Sequence, residues 1–216
     1  MVCNSGVGLT PYIDKRLYHF SAGGLYNGLV LLIDDETRTY WDHITGEALH
    51  GPMRNSRMTV WGVHLTSVSH ALSIEPHLIL LRSRQSLLAR LLSWFMSRPF
   101  ARKTIPPGFR KTMGPPDHRL PEMEIGLGVI SRDIQRFYPK KLIEEGFEDN
   151  WQGHALRIRI NSGDGIPYAE FTDGHRPLQL FTRWYGFSYT FPGCQIYHLD
   201  DTYSASEAIN RVSHSR

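Results

Sequence analysis

Turn residues cut this chain into short pieces, and that punctuation limits the available folds more than any other feature. Its 216 residues include 19 Gly and 13 Pro. Such spacing favours short strands joined by many turns over a helical bundle. The longest apolar runs, Gly28–Ile33 and Leu87–Met96, are too short to cross a bilayer as a helix. Apolar residues make up 41% and charged residues 21%, enough for a sizeable core and against wholesale disorder. The expected fold is therefore β-rich α+β, mainly antiparallel strands with a few short helices, in a single domain over 1–216.

Hydrophobic periodicity places the elements. Tyr18–Phe20 and Leu25–Ile33 read as strands, and the unbroken run Leu29–Ile33 suits a strand buried on both faces. Gly23-Gly24 offers a tight turn or a close backbone approach before it. Asp34–Thr37 is a polar turn, Arg38–Asp42 restarts an extended run, and Thr45-Gly46-Glu47 is a second turn. Met58–Trp61 and Leu78–Leu81 read as short strands. Thr66–Ile74 reads as a helix capped by Thr66 or Ser67. Further strands are expected at Glu124–Ser131, Ile134–Tyr138, Ala155–Ile160, Pro167–Phe171 and Gln179–Tyr185, with a short helix at Pro139–Glu145. Tyr189–Tyr197 closes the fold, and a polar tail follows Asp200.

Residues 82–121 interrupt this pattern. Ser86–Ser97 has a broad apolar stripe of Leu87, Leu88, Leu91, Leu92, Phe95 and Met96, and Pro99 stops it. The stripe either packs on the core, the favoured reading, or meets a partner or membrane surface. Phe100–Pro121 is a loop by composition. Nine Arg or Lys and one acid, Asp117, lie between Arg82 and Arg119, although the whole chain carries only +3. A basic run of this kind is either a solvated connector or a patch for anions. Nucleic acid is the less favoured partner.

The Cys-Asn-Ser-Gly at 3–6, Gly-Leu-Tyr-Asn at 24–27, Asp34, Thr37, Trp41, Thr-Gly-Glu-Ala at 45–48 and Gly51-Pro52 together resemble the prokaryotic domain-of-unknown-function 3179 family. Gly126–Pro139, ending in Arg-Phe-Tyr-Pro, and Trp184-Tyr-Gly-Phe with Phe191-Pro192 extend the likeness. The resemblance implies no particular reaction. The family pattern has a Cys-x-x-Cys before the Ser-Gly, and Cys3 matches the second of those cysteines. That implies a chain beginning inside the domain.

Candidate chemistry centres on three residues. Cys3 can act as nucleophile, redox group or soft-metal ligand, or be a small buried residue. Glu47 and His43, four apart around Thr45-Gly46, can share a proton or ligate a metal, and Glu47 can equally brace its turn. Tyr26, Asn27 and Trp41 are candidate ligand contacts, against plain turn and core roles. No zinc spacing, phosphate loop or nucleophile elbow is present. The sequence specifies no cofactor or metal, and a small-molecule ligand or metal both stay open. The function expected is a thiol- or metal-dependent redox or enzymatic role near Cys3 and the 45–47 loop, the alternative being a non-catalytic ligand- or protein-binding module. With no secretory signal in the sequence, a cytoplasmic location is expected.

Overall fold

The computed structural model describes residues 6–79 and 107–198, together with 86, 88, 89, 91, 94 and 105. Expectations resting on Cys3, on most of 80–106 or on the tail after Asp200 lie outside the described residues. The described chain is β-rich, with mainly antiparallel sheets and a few short helices.

The first half opens with β1 (Gly8–Thr10), then β2 (Tyr12–Ile13) and β3 (Arg16–Leu17), which pair with each other. A meander follows of β4 (Phe20–Tyr26), β5 (Leu29–Asp34), β6 (Tyr40–Asp42) and β7 (Ala48–His50), each antiparallel to the next. The segment expected as one strand over 25–33 is two strands of a hairpin. Tyr26 faces Leu29, and the turn residues Asn27 and Gly28 have φ of 51° and 71°. Two left-handed residues make the turn whose twist matches the flanking strands, and Asn-Gly is its preferred sequence. Gly23-Gly24 is not the turn: the register slips between Ala22 and Gly24, a bulge inside β4. Val30 is exposed while Leu29, Ile33 and Asp34 are buried, so β5 is wetted on one side rather than buried on both faces.

β8 (Thr59–Trp61) returns to pair with β1, and Gly8 sits opposite Trp61. A Cβ on Gly8 would come within 2.2 Å of the Trp61 indole, so the ring lies over the glycine. α1 (Val68–Ile74) starts where expected, with Ser67 Oγ accepting the His70 N–H at 3.1 Å. Leu78 and Ile79 form no strand and stand exposed, contrary to the buried strand expected there. Leu88, Leu91 and Trp94 are helical as the pattern predicts, but exposed, so these members of the helix do not pack on the core.

The second half carries α2 (Pro107–Arg110), β9 (Ile125–Ile130) and β10 (Gln135–Pro139), with a 3-10 turn at Lys140–Leu142 in place of the longer helix expected. β11 (Phe147–Trp151), β12 (His154–Ile160) and β13 (Pro167–Phe171) form a three-stranded antiparallel sheet. β14 (Leu178–Arg183) leads into α3 (Trp184–Thr190), and β15 (Gln195–Ile196) runs parallel to β10. The strand expected over 179–185 therefore ends at Arg183. Every residue from Trp184 to Ser188 is buried, so α3 shows no amphipathic period to read.

The sheet ordered β14-β9-β10-β15 has a different neighbour on each face. Leu127, Val129 and Tyr138 pack with Leu156, Ile158 and Ala169 of the three-stranded sheet. On the other face Phe137 and Leu180 pack with Trp184 and Phe187 of α3, with Cys194, and with Ile44 from the first half. The alternation in β9 follows from this. A Cβ on Gly128 would fall 2.1 Å from the Phe187 ring, and one on Gly126 would fall 2.4 Å from the Tyr138 carbonyl. The Gln179 side chain ties β14 to β13: its Oε1 accepts the Ala169 N–H at 2.6 Å and its Nε2 donates to the Ala169 carbonyl at 3.1 Å.

Besides Ile44, the halves also join where Thr66 Oγ1 donates to Asp164 Oδ2 at 2.6 Å, and at the hairpin of β4 and β5. Leu29 packs on Tyr185. The Asn27 N–H donates to the Thr112 carbonyl at 3.0 Å, and the Gly28 N–H to Thr112 Oγ1 at 3.1 Å, so segment 107–114 closes over the hairpin tip.

Candidate functional site

The hairpin turn after β5 is built on a buried carboxylate. Asp34 accepts the Trp41 indole N–H at 2.8 Å, the Thr39 N–H at 3.0 Å, the Thr37 N–H at 2.5 Å and the Thr37 hydroxyl at 2.8 Å. Burial pushes its pKa up, but these donors together outweigh burial and hold it below the ordinary value. Trp41 is fully buried, its N–H taken by Asp34 and its ring edge-on to Phe20. It has no face left for a ligand.

The 42–47 turn is shaped by Asp42, whose Oδ1 accepts the N–H groups of Ile44 at 2.7 Å and Thr45 at 2.8 Å. Gly46 has φ of 70°, and a Cβ there would sit 2.9 Å from the Met58 carbonyl. The exposed Glu47 carboxylate lies 3.3 Å from the Arg57 guanidinium, and Arg57 Nε donates to the Thr45 carbonyl at 3.0 Å. An exposed pair of this kind is worth at most about 1 kcal/mol, so Glu47 acts as a brace. His43 is half-buried, and its Nδ1 is enclosed without a partner. Although four residues apart, His43 and Glu47 share no hydrogen bond or ion pair among the described residues.

The 45–47 loop does border open space. Ile44, Thr45 and Arg57 form one wall of a cleft of about 630 Å³, and Ser131, Arg132 and Phe191 form the other. Val60 and Leu178 line this cleft and also a second one of about 430 Å³. Trp61 and His64 approach the second cleft from the first half, Tyr168, His175 and Arg176 from the second. Together they make a groove along β8 and the start of β14. Five side chains that carry or can take positive charge line it, and no Asp or Glu does. Arg176 lies 4.6 Å over the Tyr168 ring, 3.3 Å from Glu170 Oε2 and 3.3 Å from His64 Nδ1. Since arginine only donates, His64 Nδ1 is the acceptor in the last contact.

Of the sequence candidates, only the loop residue Thr45 touches this groove. Tyr26 is exposed on β4 and Asn27 is held at the hairpin tip, and neither lines either of these two clefts. Cys3 lies outside the described residues. Cys194 is buried under α3, and burial pushes its thiol up to about 11. Among the described residues no three His, Cys, Asp or Glu side chains converge as metal ligands, and no helix is long and apolar enough to cross a membrane. Sequence reasoning missed Arg57, Trp61, His64, Ser131, Arg132, Tyr168, His175 and Arg176. They come from both ends of the chain, and no local spacing links them.

Fold and groove together define a β-rich α+β protein with an acid-free groove between its two halves. The chain belongs to the family described as protein of unknown function (DUF3179), whose sequence profile matches residues 1–204. No curated protein and no solved structure matches it.

Proposed function

We propose that the chain is a ligand-binding module whose groove takes a small organic anion with an apolar portion. One observation carries this reading: Arg57, Arg132, His64, His175 and Arg176 surround two clefts that meet at Val60 and Leu178, with no lining carboxylate. A lining without carboxylates favours a negative group, and Trp61 and Leu178 offer apolar surface to the rest of the ligand. Glu47 and Glu170 each engage one arginine at the edge, which leaves Arg132 exposed and unengaged by another described residue. The test is thermal shift and titration calorimetry with a panel of aliphatic and aromatic carboxylates and phosphates. Saturable stabilisation by an aromatic anion is expected, weakened at least about tenfold in an Arg132→Ala, Arg176→Ala double variant. No shift with any of the anions counts against the reading.

A thiol- or metal-dependent activity is the second reading, supported by the position of Cys3 in the family motif. The described geometry narrows it: Cys194 is buried, and Glu47 is engaged by Arg57. Cys3 would then carry the chemistry, and His43, whose enclosed Nδ1 has no partner, is the base that the 42–47 turn offers. Native mass spectrometry with metal analysis separates the readings. A bound metal that disappears in Cys3→Ser favours the second, and a metal-free protein with an ordinary thiol removes it.

A further inference from the structure

The groove is not uniform along its length. Its two clefts share Val60 and Leu178, and each has cationic side chains of its own. Leu178 reaches across to the first half, where a Cβ on Gly62 would lie 3.9 Å from its Cδ1. The middle of the groove is therefore an apolar waist between two charged ends.

Strand register locates those ends. Leu178 of β14 pairs with Ile130 of β9, and the two strands run antiparallel. Arg132 lies two residues beyond Ile130, and Arg176 two residues before Leu178. Both arginines thus leave the same margin of the sheet, from neighbouring strands, yet Arg132 lines one cleft and Arg176 the other. Arg132 is exposed and unengaged among the described residues. Arg176 is steadied on the Tyr168 ring, and two of its five N–H groups meet Glu170 and His64, so the others can still donate. Arg57 is taken up by Glu47 and the Thr45 carbonyl. Each end therefore offers one available guanidinium. That matches the single charge of a carboxylate better than the nearly doubled charge of a phosphate monoester. A ligand with one carboxylate would leave one of the two arginines unused.

We propose that the groove takes a dicarboxylate, with one carboxylate at Arg132, the other at Arg176, and an apolar chain between them over Val60 and Leu178. This rests on the reading of the groove as an anion site, and adds to it a second charge at a fixed separation.

Titration calorimetry of the full chain tests it, with flexible α,ω-dicarboxylates from succinate to suberate, each beside the monocarboxylate of equal carbon count. At the best-fitting length the dicarboxylate should bind at least about tenfold more tightly than its partner, as expected for one added charge-assisted pair. Arg132→Ala should abolish that advantage, and Arg176→Ala should abolish it from the other cleft. Arg132 is exposed, so an unchanged melting curve would verify that the first variant is folded. Lys111→Ala removes an exposed charge outside both clefts and should leave the advantage intact. The proposal is overturned if monocarboxylates bind as tightly as dicarboxylates at every length, or if the advantage survives Arg132→Ala. In both cases the groove stays a site for single anions. If no anion of either kind binds, the proposal and the anion reading fall together.

Discussion

Asp34 stands at the start of an Asp-Asp-Glu run, yet no part of it touches solvent, whereas Asp35 and Glu36 lie nearer the surface. What permits its burial is the set of donors on Thr37, Thr39 and Trp41, each an odd-numbered residue on the returning side of the turn. Asp34→Asn keeps one acceptor but turns an amide N–H₂ toward other donors. It should destabilise the fold by roughly 2–3 kcal/mol, measured by urea unfolding. The pH dependence has a definite sign. The folded pKa lies below the unfolded carboxyl value of about 3.9, so the stabilisation is complete above that value. It is lost as pH falls through the lower folded value, and the acid limb of the stability curve should be shallower in Asp34→Asn. Cys194 gives a second expectation at this scale. Buried with a raised pKa, it should resist iodoacetamide in the native protein and react once urea unfolds the chain. Fast native labelling at Cys194, read by peptide mass spectrometry, would contradict its placement. The polar turn at 34–37 was legible in the sequence. The burial of its first residue was not, because an acidic run ordinarily reads as solvated surface.

Among the elements, those with a local signal were readable. The cap at Thr66 or Ser67 announced α1, and alternation announced β12. The hairpin at Asn27-Gly28 was read through as a continuous strand because a long apolar run masked a strong two-residue turn signal. β11 went unrecognised because Phe147-Glu-Asp-Asn-Trp151 holds three polar residues in a row, and only pairing with β12 makes it a strand. The strand expected over 179–185 runs two residues into α3, whose Trp184–Ser188 are all buried and show no amphipathic period. The fit between α3 and β9 is the most exacting contact of this kind. Gly128→Val would drive its side chain into the Phe187 ring and should cost about 2–3 kcal/mol. Phe187→Ala removes the obstacle, so the double variant should lose clearly less than the two single losses combined, a coupling that a double-mutant cycle measures.

For the whole molecule, antiparallel β-rich architecture followed from composition and punctuation. The groove did not, because its walls meet only after β8 has turned back onto β1 and β14 has taken the edge of the second sheet. Long-range pairing of that sort leaves no trace in local spacing. Pairing also creates exposed edges, and β13 shows how one of them is closed. Its residues facing away from β12 are Pro167, Ala169 and Phe171. Proline has no N–H, the Ala169 N–H and carbonyl are held by the Gln179 amide, and the Phe171 N–H goes to the His175 carbonyl at 2.8 Å. No donor on that edge is left to recruit a strand from another molecule, which is how an exposed sheet margin avoids seeding aggregation. Gln179→Leu should therefore show itself as turbidity or amyloid-dye binding during prolonged storage near the unfolding temperature, where light scattering separates it from the parent chain.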